Sequence, residues 1–150
     1  MPLIDDVTAA IAHATRQRDQ IRLGALRMLK AALMNRAIEK GRDLDDAEGR
    51  QVVGSLVKQR RDSIEQFTRG GRQDLADKEA AEITVLESYL PPTADAATID
   101  RAIDDAISET GASSAKDVGR VMKTVMAKLA GQNVDGKAVN ELARRKLAGP

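Results

Sequence analysis

The stretch KQRRDSIEQFTRGGRQDLADKEAAEITVLESYLPP, from Lys58 to Pro92, constrains the fold more than any other part of this chain. It reads as two helices joined by Gly70-Gly71 and closed by Pro91-Pro92, because glycine ends helices and proline lacks the N–H that would continue one. The helix entering it carries Val53, Leu56, Val57, Ile64 and Phe67 on one stripe, at offsets 0, 3, 4, 11 and 14. Offset 7 is Arg60, so a guanidinium sits in the middle of the face meant for burial. On the following helix, Leu75, Ile83, Leu86 and Leu90 share a face with Glu79 and Glu82, with Asp74 as its cap and Asp77 in its first turn. An unpaired charge on such faces is costly. Arg60, helped by Arg61, is therefore expected to pair with Glu79 or Glu82 across the two helices.

The rest of the chain has the same helical period, and β-branched or aromatic runs are scarce. Leu3, Ile4, Val7, Ile11 and Ala14 mark one face of a first helix, with His13 opposite as a solvated surface residue. Asp19 caps a second helix, Gln20 to Lys40, ended by Gly41. Its apolar residues, from Ile21 to Ile38, point nearly all round the axis, which places it at the centre of its bundle. The polar segment GRDLDDAEG then leads into the third helix. Beyond Pro91-Pro92 three shorter helices follow. The first starts at Thr93 or Asp95 and stops at Gly111, burying Ile99, Ala102, Ile103, Ala106 and Ile107. The second opens on Ser114 and Asp117 in the spacing of a capping box, turns Val118, Val121, Met122, Val125, Met126 and Leu129 inward, and ends at Gly131. The third is capped by Asp135 and buries Val139, Leu142, Ala143 and Leu147. The expected fold is all-α: a bundle of about four helices over residues 1–92 and a three-helix module over 93–150.

With no Cys, thiol nucleophiles and cysteine zinc sites are excluded. No run approaches the ~18–20 apolar residues of a membrane span. The start MPLIDDVTAA lacks the basic region of a signal peptide. A soluble, cytoplasmic protein is expected. Glu79 and Glu82 at i, i+3 have the spacing of metal ligands or of an acid–base pair, but no Glu-x-x-His accompanies them. Phosphate-loop, nucleophile-elbow, zincin and dinucleotide motifs are all missing. Ser113 and Ser114 beside Lys116 read more simply as a helix cap than as a Ser–Lys pair. No metal and no cofactor is expected.

Charge gives the most informative local signal. The whole chain carries only +1, yet from Lys116 onward eight cations face three acids, a net +5. Lys116, Arg120 and Lys123 fall within about 60° of one another, opposite the apolar stripe of their helix. Lys137 and Arg144 turn outward on the last helix. The helix before them is acidic, with Asp95, Asp100, Asp104, Asp105 and Glu109 against Arg101. Such polarity suits a phosphate backbone, and the free N–H groups at Asp135-Gly136-Lys137 suit an anion. An ordinary solvated bundle surface has the same composition. One Tyr and one Phe leave no platform on which bases could stack.

The strings RLGALRMLKAAL, KQRRDSIEQF, GRQDLADKEAAEITVLESYLP and VGRVMKTVMAKLAGQNVDGKAVN, in that order, resemble the GatB/YqeY family over nearly the whole chain. The likeness is to its free-standing YqeY-type members. It implies a two-part helical protein similar to the tail of the B subunit of glutamyl/aspartyl-tRNA amidotransferase, a tail that helps hold tRNA. A comparable module is appended to some glutaminyl-tRNA synthetases. By that resemblance the chain is expected to be a non-catalytic, translation-associated tRNA binder, and its basic stripe points to Lys116, Arg120, Lys123, Lys137 and Arg144 as the contacts. The carbon–nitrogen ligase chemistry of the relatives, with glutamine as amido donor, belongs to parts this chain does not match. The alternatives are an accessory that docks on the amidotransferase or an aminoacyl-tRNA synthetase and, last, a cryptic enzyme built on Glu79 and Glu82.

Overall fold

The protein is described by a computed structural model over residues 2–130 and 132–149. It is all-α. Among the described residues there are seven α-helices, one short 3-10 turn and a single isolated bridge in place of any sheet. The chain divides into two compact units, Met1–Leu90 and Pro91–Pro150.

The first unit holds α1 (Leu3–Gln17), α2 (Gln20–Lys40), α3 (Asp46–Arg69) and α4 (Gln73–Glu87). Sequence sets the ends of α2 directly. The Asp19 carboxylate accepts the Arg22 N–H at 3.1 Å, and Gly41 closes the helix at φ 69°. A side chain at that φ would crowd the following carbonyl, so glycine is the residue that fits. Helix α3 begins inside the segment expected to be loop. Asp45 and Glu48 form a reciprocal capping box there, with Asp45 accepting the Glu48 N–H at 2.8 Å and Glu48 accepting the Asp45 N–H at 3.1 Å. Asp74 does not cap α4. That helix starts one residue earlier, behind Arg72, and Asp74 lies in its first turn, paired with Arg72 at 3.1 Å. Asp77 accepts from Gln73 one turn back. The helix gives out at Glu87, short of Pro91.

Helix α2 packs on α1, α3 and α4. Leu23, Ala25, Leu26, Leu29 and Leu33 join Val7, Val53, Val57 and Leu86 in the core. The expectation that α2 is apolar on all sides because it is buried on all sides is wrong on one face. Ile21, Met28, Met34 and Ile38 are exposed, since three neighbouring helices leave the fourth side of α2 uncovered.

The second unit holds α5 (Ala96–Thr110), the 3-10 turn Ala115–Asp117, α6 (Val118–Lys128) and α7 (Gly136–Leu147) around Ile103, Val121, Val125, Val139 and Ala143. Asp95 caps α5 through the Thr98 N–H at 2.7 Å, and Gly111 ends it at φ 67°. Buried Asn133 ties the α6–α7 connection to the start of the unit: its carbonyl accepts from the Ala94 N–H at 3.0 Å and its side-chain amide donates to Thr93 Oγ1 at 3.3 Å. Ser114 makes no capping bond, so the proposed box is absent. Asp117 instead accepts the Ser113 N–H at 3.1 Å, because the 3-10 turn brings its carboxylate back over the residues before it. Met126 is exposed rather than inward, at the end of a helix only three turns long. Gly131, expected to end α6, lies outside the described residues.

Candidate nucleic-acid interface

The charge inside the first unit is spent on structure. Arg60 is 4 % exposed on α3, and its Nε lies 2.9 Å from Glu82 Oε2 and 3.7 Å from Glu79 Oε2, both on α4. Its remaining N–H groups reach the Leu56 carbonyl at 3.4 Å and Met28 Sδ at 2.6 Å. No buried side-chain N or O atom among the described residues lacks a hydrogen-bond partner. Arg61 does not join this group. One residue further round the helix, it reaches Glu87 at 3.1 Å instead. Glu79 and Glu82 thus converge on a cation rather than on an open cleft, and no group of three or more acidic, His or Cys side chains among the described residues is placed to hold a metal.

In the second unit the acidic helix lies against the basic ones, which decides which cations face outward without a carboxylate. Lys146 on α7 bridges Asp100 at 2.7 Å and Asp104 at 2.8 Å. Lys128 at the end of α6 reaches Glu109 at 2.6 Å. These hydrogen-bonded carboxylates hold both ammonium groups above the usual lysine range. Neither pairing is written in the sequence as a motif. The i, i+4 spacing of Asp100 and Asp104 offered the one signal, a double acceptor on one face of α5.

The remaining cations of the candidate surface are exposed. Lys116 in the 3-10 turn and Lys123 on α6 make no ion pair or side-chain hydrogen bond with a described residue. Arg120, between them in sequence, touches Asp117 at 2.8 Å. The Asp117 carboxyl is held below its usual range first by the Ser113 N–H and then by this guanidinium. On α7 Arg144 Nε donates to Asn140 Oδ1 at 2.8 Å, one turn back, and Lys137 lies at the helix start. The N-terminus of α7 is not an open anion site, because the Asp135 carboxylate itself accepts the Lys137 N–H at 3.1 Å. Arg120 and Lys123 are thus three residues apart on α6, Lys116 precedes that helix in the 3-10 turn, and Lys137 and Arg144 belong to another helix.

The sequence pattern of YqeY-like proteins matches residues 4–147, which takes in both units and every residue above. The chain belongs to the YqeY-like family. Among its relatives are proteins named "Altered inheritance of mitochondria protein 41, mitochondrial". That of Lachancea thermotolerans is 34% identical over 95 residues, 61% of this chain and 51% of the relative. That of Kluyveromyces lactis is 36% identical over 90 residues, 57% of this chain and 49% of the relative. That of Pyrenophora tritici-repentis is 29% identical over 137 residues, 89% and 74% of the two chains. The YqeY-like chain spans about half the length of the first two. Their names overturn the cytoplasmic location expected from composition, since each is named as a mitochondrial protein. No helix among the described residues is long and apolar enough to cross a membrane.

Proposed function

We propose that this YqeY-like protein is a non-catalytic, translation-associated tRNA binder. Its second unit grips the phosphate backbone through Lys116, Arg120 and Lys123, with Lys137 and Arg144 adding contacts from α7. The observation that carries the reading is the division of labour among the basic side chains of this unit. Lys128 and Lys146 are tied to α5 carboxylates, whereas Lys116 and Lys123 stand exposed without a carboxylate partner among the described residues. Cations spaced along one helix face neutralise successive phosphates and read no base, which suits recognition by position rather than by sequence. The resemblance to the amidotransferase tail supports tRNA as the polyanion. An amidotransferase or an aminoacyl-tRNA synthetase is the class of enzyme that would share that tRNA. Commitment of Glu79 and Glu82 to Arg60 speaks against a catalytic role for that pair.

The deciding experiment titrates the full chain with total tRNA at several salt concentrations, with duplex DNA as control. Each phosphate contact contributes roughly 0.7–0.9 to the slope of log affinity against log salt. Replacing Lys116, Arg120 and Lys123 together by Ala is expected to weaken tRNA binding and lower that slope by about 2. Lys128→Ala, which removes a cation already held by Glu109, is expected to change it little. An unchanged slope in the triple variant, or equal affinity for duplex DNA, removes the proposal.

A further inference from the structure

The first unit presents a second surface that the tRNA reading does not use. On α2, Gly24, Met28, Ala31, Met34 and Ile38 recur at offsets 0, 4, 7, 10 and 14, and all five are exposed. That is the period of a coiled-coil seam, about 3.5 residues per repeat. Ile38 is 75 % exposed, Met28 48 % and Met34 47 %, on a helix whose other sides are covered by α1, α3 and α4. Gly24 faces open space, so the stripe alternates large side chains with recesses that would receive a partner's knobs.

Charge decides what kind of partner fits. Arg27 lies within the stripe and Lys30 borders it, and neither makes an ion pair or side-chain hydrogen bond with a described residue. The one carboxylate of α2, Glu39, is already held by Arg36 at 3.1 Å. The surface is therefore apolar with uncompensated positive charge. A second copy of this chain fits it poorly. Parallel pairing in register sets Arg27 against Arg27, and antiparallel pairing about a two-fold axis brings each Arg27–Lys30 border against its own copy. A bilayer fits poorly as well, because the stripe carries none of the interfacial aromatics that anchor a helix to lipid.

We propose that the solvent-facing stripe of α2 docks an acidic amphipathic helix of a partner protein. The partner's apolar side chains would enter the recesses at Gly24 and Ala31, and its carboxylates would meet Arg27 and Lys30. Recognition of one amphipathic helix by another takes its affinity from a few apolar anchors and its selectivity from the flanking charges.

The test uses the full chain and a labelled synthetic helix with leucines along one face and glutamates on both flanks, which repel one another and keep the peptide from self-pairing. Saturable binding by fluorescence anisotropy is expected, weakened about tenfold or more by Ile38→Asp, a change at an exposed position that the fold tolerates. Charge reversal gives the second readout: Arg27→Glu with Lys30→Glu should lose the glutamate-flanked peptide and gain a lysine-flanked one. Failure of the peptide to bind, or binding that Ile38→Asp and the charge reversal leave unchanged, overturns the proposal. Self-association in sedimentation that Ile38→Asp abolishes would assign the stripe to a second copy. Capture by anionic phospholipid vesicles, lost in the same variant, would assign it to a membrane. Either result replaces the acidic helix as the occupant.

Discussion

The Arg60–Glu82 pair allows a sharp test of how the first unit holds together. Arg60 is 4 % exposed and Glu82 9 %, with Nε and Oε2 2.9 Å apart. Removing one partner of such a buried pair costs about 3–5 kcal/mol, because the other charge is left uncompensated out of water. Arg60→Ala strands Glu82 with Glu79 close by, so a value in that range is expected. For a unit of this size 1 kcal/mol corresponds to about 4–8 °C, which makes the fall in Tm about 12 °C or more. Glu82→Gln should cost less, about 1–2 kcal/mol, since the amide oxygen still accepts from Nε and Glu79 at 3.7 Å still supplies a charge. Arg60→Met combined with Glu82→Leu removes both desolvated charges and keeps volume, so stability should return to within about 1 kcal/mol of the parent. Differential scanning calorimetry and urea unfolding followed by circular dichroism give the three values. If Arg60→Ala costs under about 1 kcal/mol, or the double variant loses as much as the single one, the pair is not a buried electrostatic lock and the reasoning fails.

Two further perturbations have defined signs. Gly41→Ala meets no atom within 4 Å but must adopt φ 69°, so it should cost about 1 kcal/mol in urea unfolding through backbone strain alone, and a neutral result would mean the α2 terminus refolds. On the acid side, Arg42, Lys40 and the Asp45 N–H hold Glu48 below its ordinary 4.5, the Thr98 N–H holds Asp95 below 3.8, and Ser113 and Arg120 do the same for Asp117. The unfolded chain takes up these protons first, so their stabilisation is present above those ordinary values and is lost as pH falls through the lower folded ones. Lys128 and Lys146 work in the opposite sense, contributing fully below 10.5 and fading as pH rises through their raised values. Urea midpoints should therefore hold between about pH 5 and 10 and fall on both sides; an unchanged midpoint at about pH 3 would contradict the capping geometry.

Helix type and most helix ends were legible because they depend on neighbours in sequence. Asp19, Gly41, Asp95, Gly111 and Asp135 act within one turn, and the structure uses each as its chemistry dictates. Sequence and structure part where two local devices compete. At Asp74 the carboxylate had a closer use in pairing with Arg72, and at Asp117 the 3-10 turn redirected the side chain to Ser113. The capping box of Asp45 and Glu48 was hidden in a polar run that read as loop, although its three-residue spacing is plain in DLDDAEG. Burial was harder to read. Period 3.6 says which residues share a face but not whether a neighbour covers it, so the apolar far side of α2 reads as core although the core does not reach it. The same limit applies to charge in the second unit, where only the packing of α5 shows that Lys128 and Lys146 are taken.

The buried ion pair of the first unit and the surface pairs of the second use charge in opposite ways. Arg60 meets Glu82 and Glu79 across a helix pair in the interior, where desolvation makes the pairing costly to break and of little use to a ligand. In the second, the pairs lie at the surface. Glu109 with Lys128 and Asp100 and Asp104 with Lys146 are partly exposed and screened, so each contributes little to stability. Their larger effect is on the field outside. By pairing with Lys128 and Lys146, the α5 carboxylates leave Lys116 and Lys123 as exposed cations without a carboxylate partner among the described residues. The proposed tRNA binding then requires a polyanion to approach this unit from the side of those cations. Replacing Asp100 and Asp104 together by Asn should therefore leave the unit folded and raise affinity for tRNA and duplex DNA alike, with filter binding as the readout. An affinity for duplex DNA that does not rise would show that the acidic helix plays no part in directing the field.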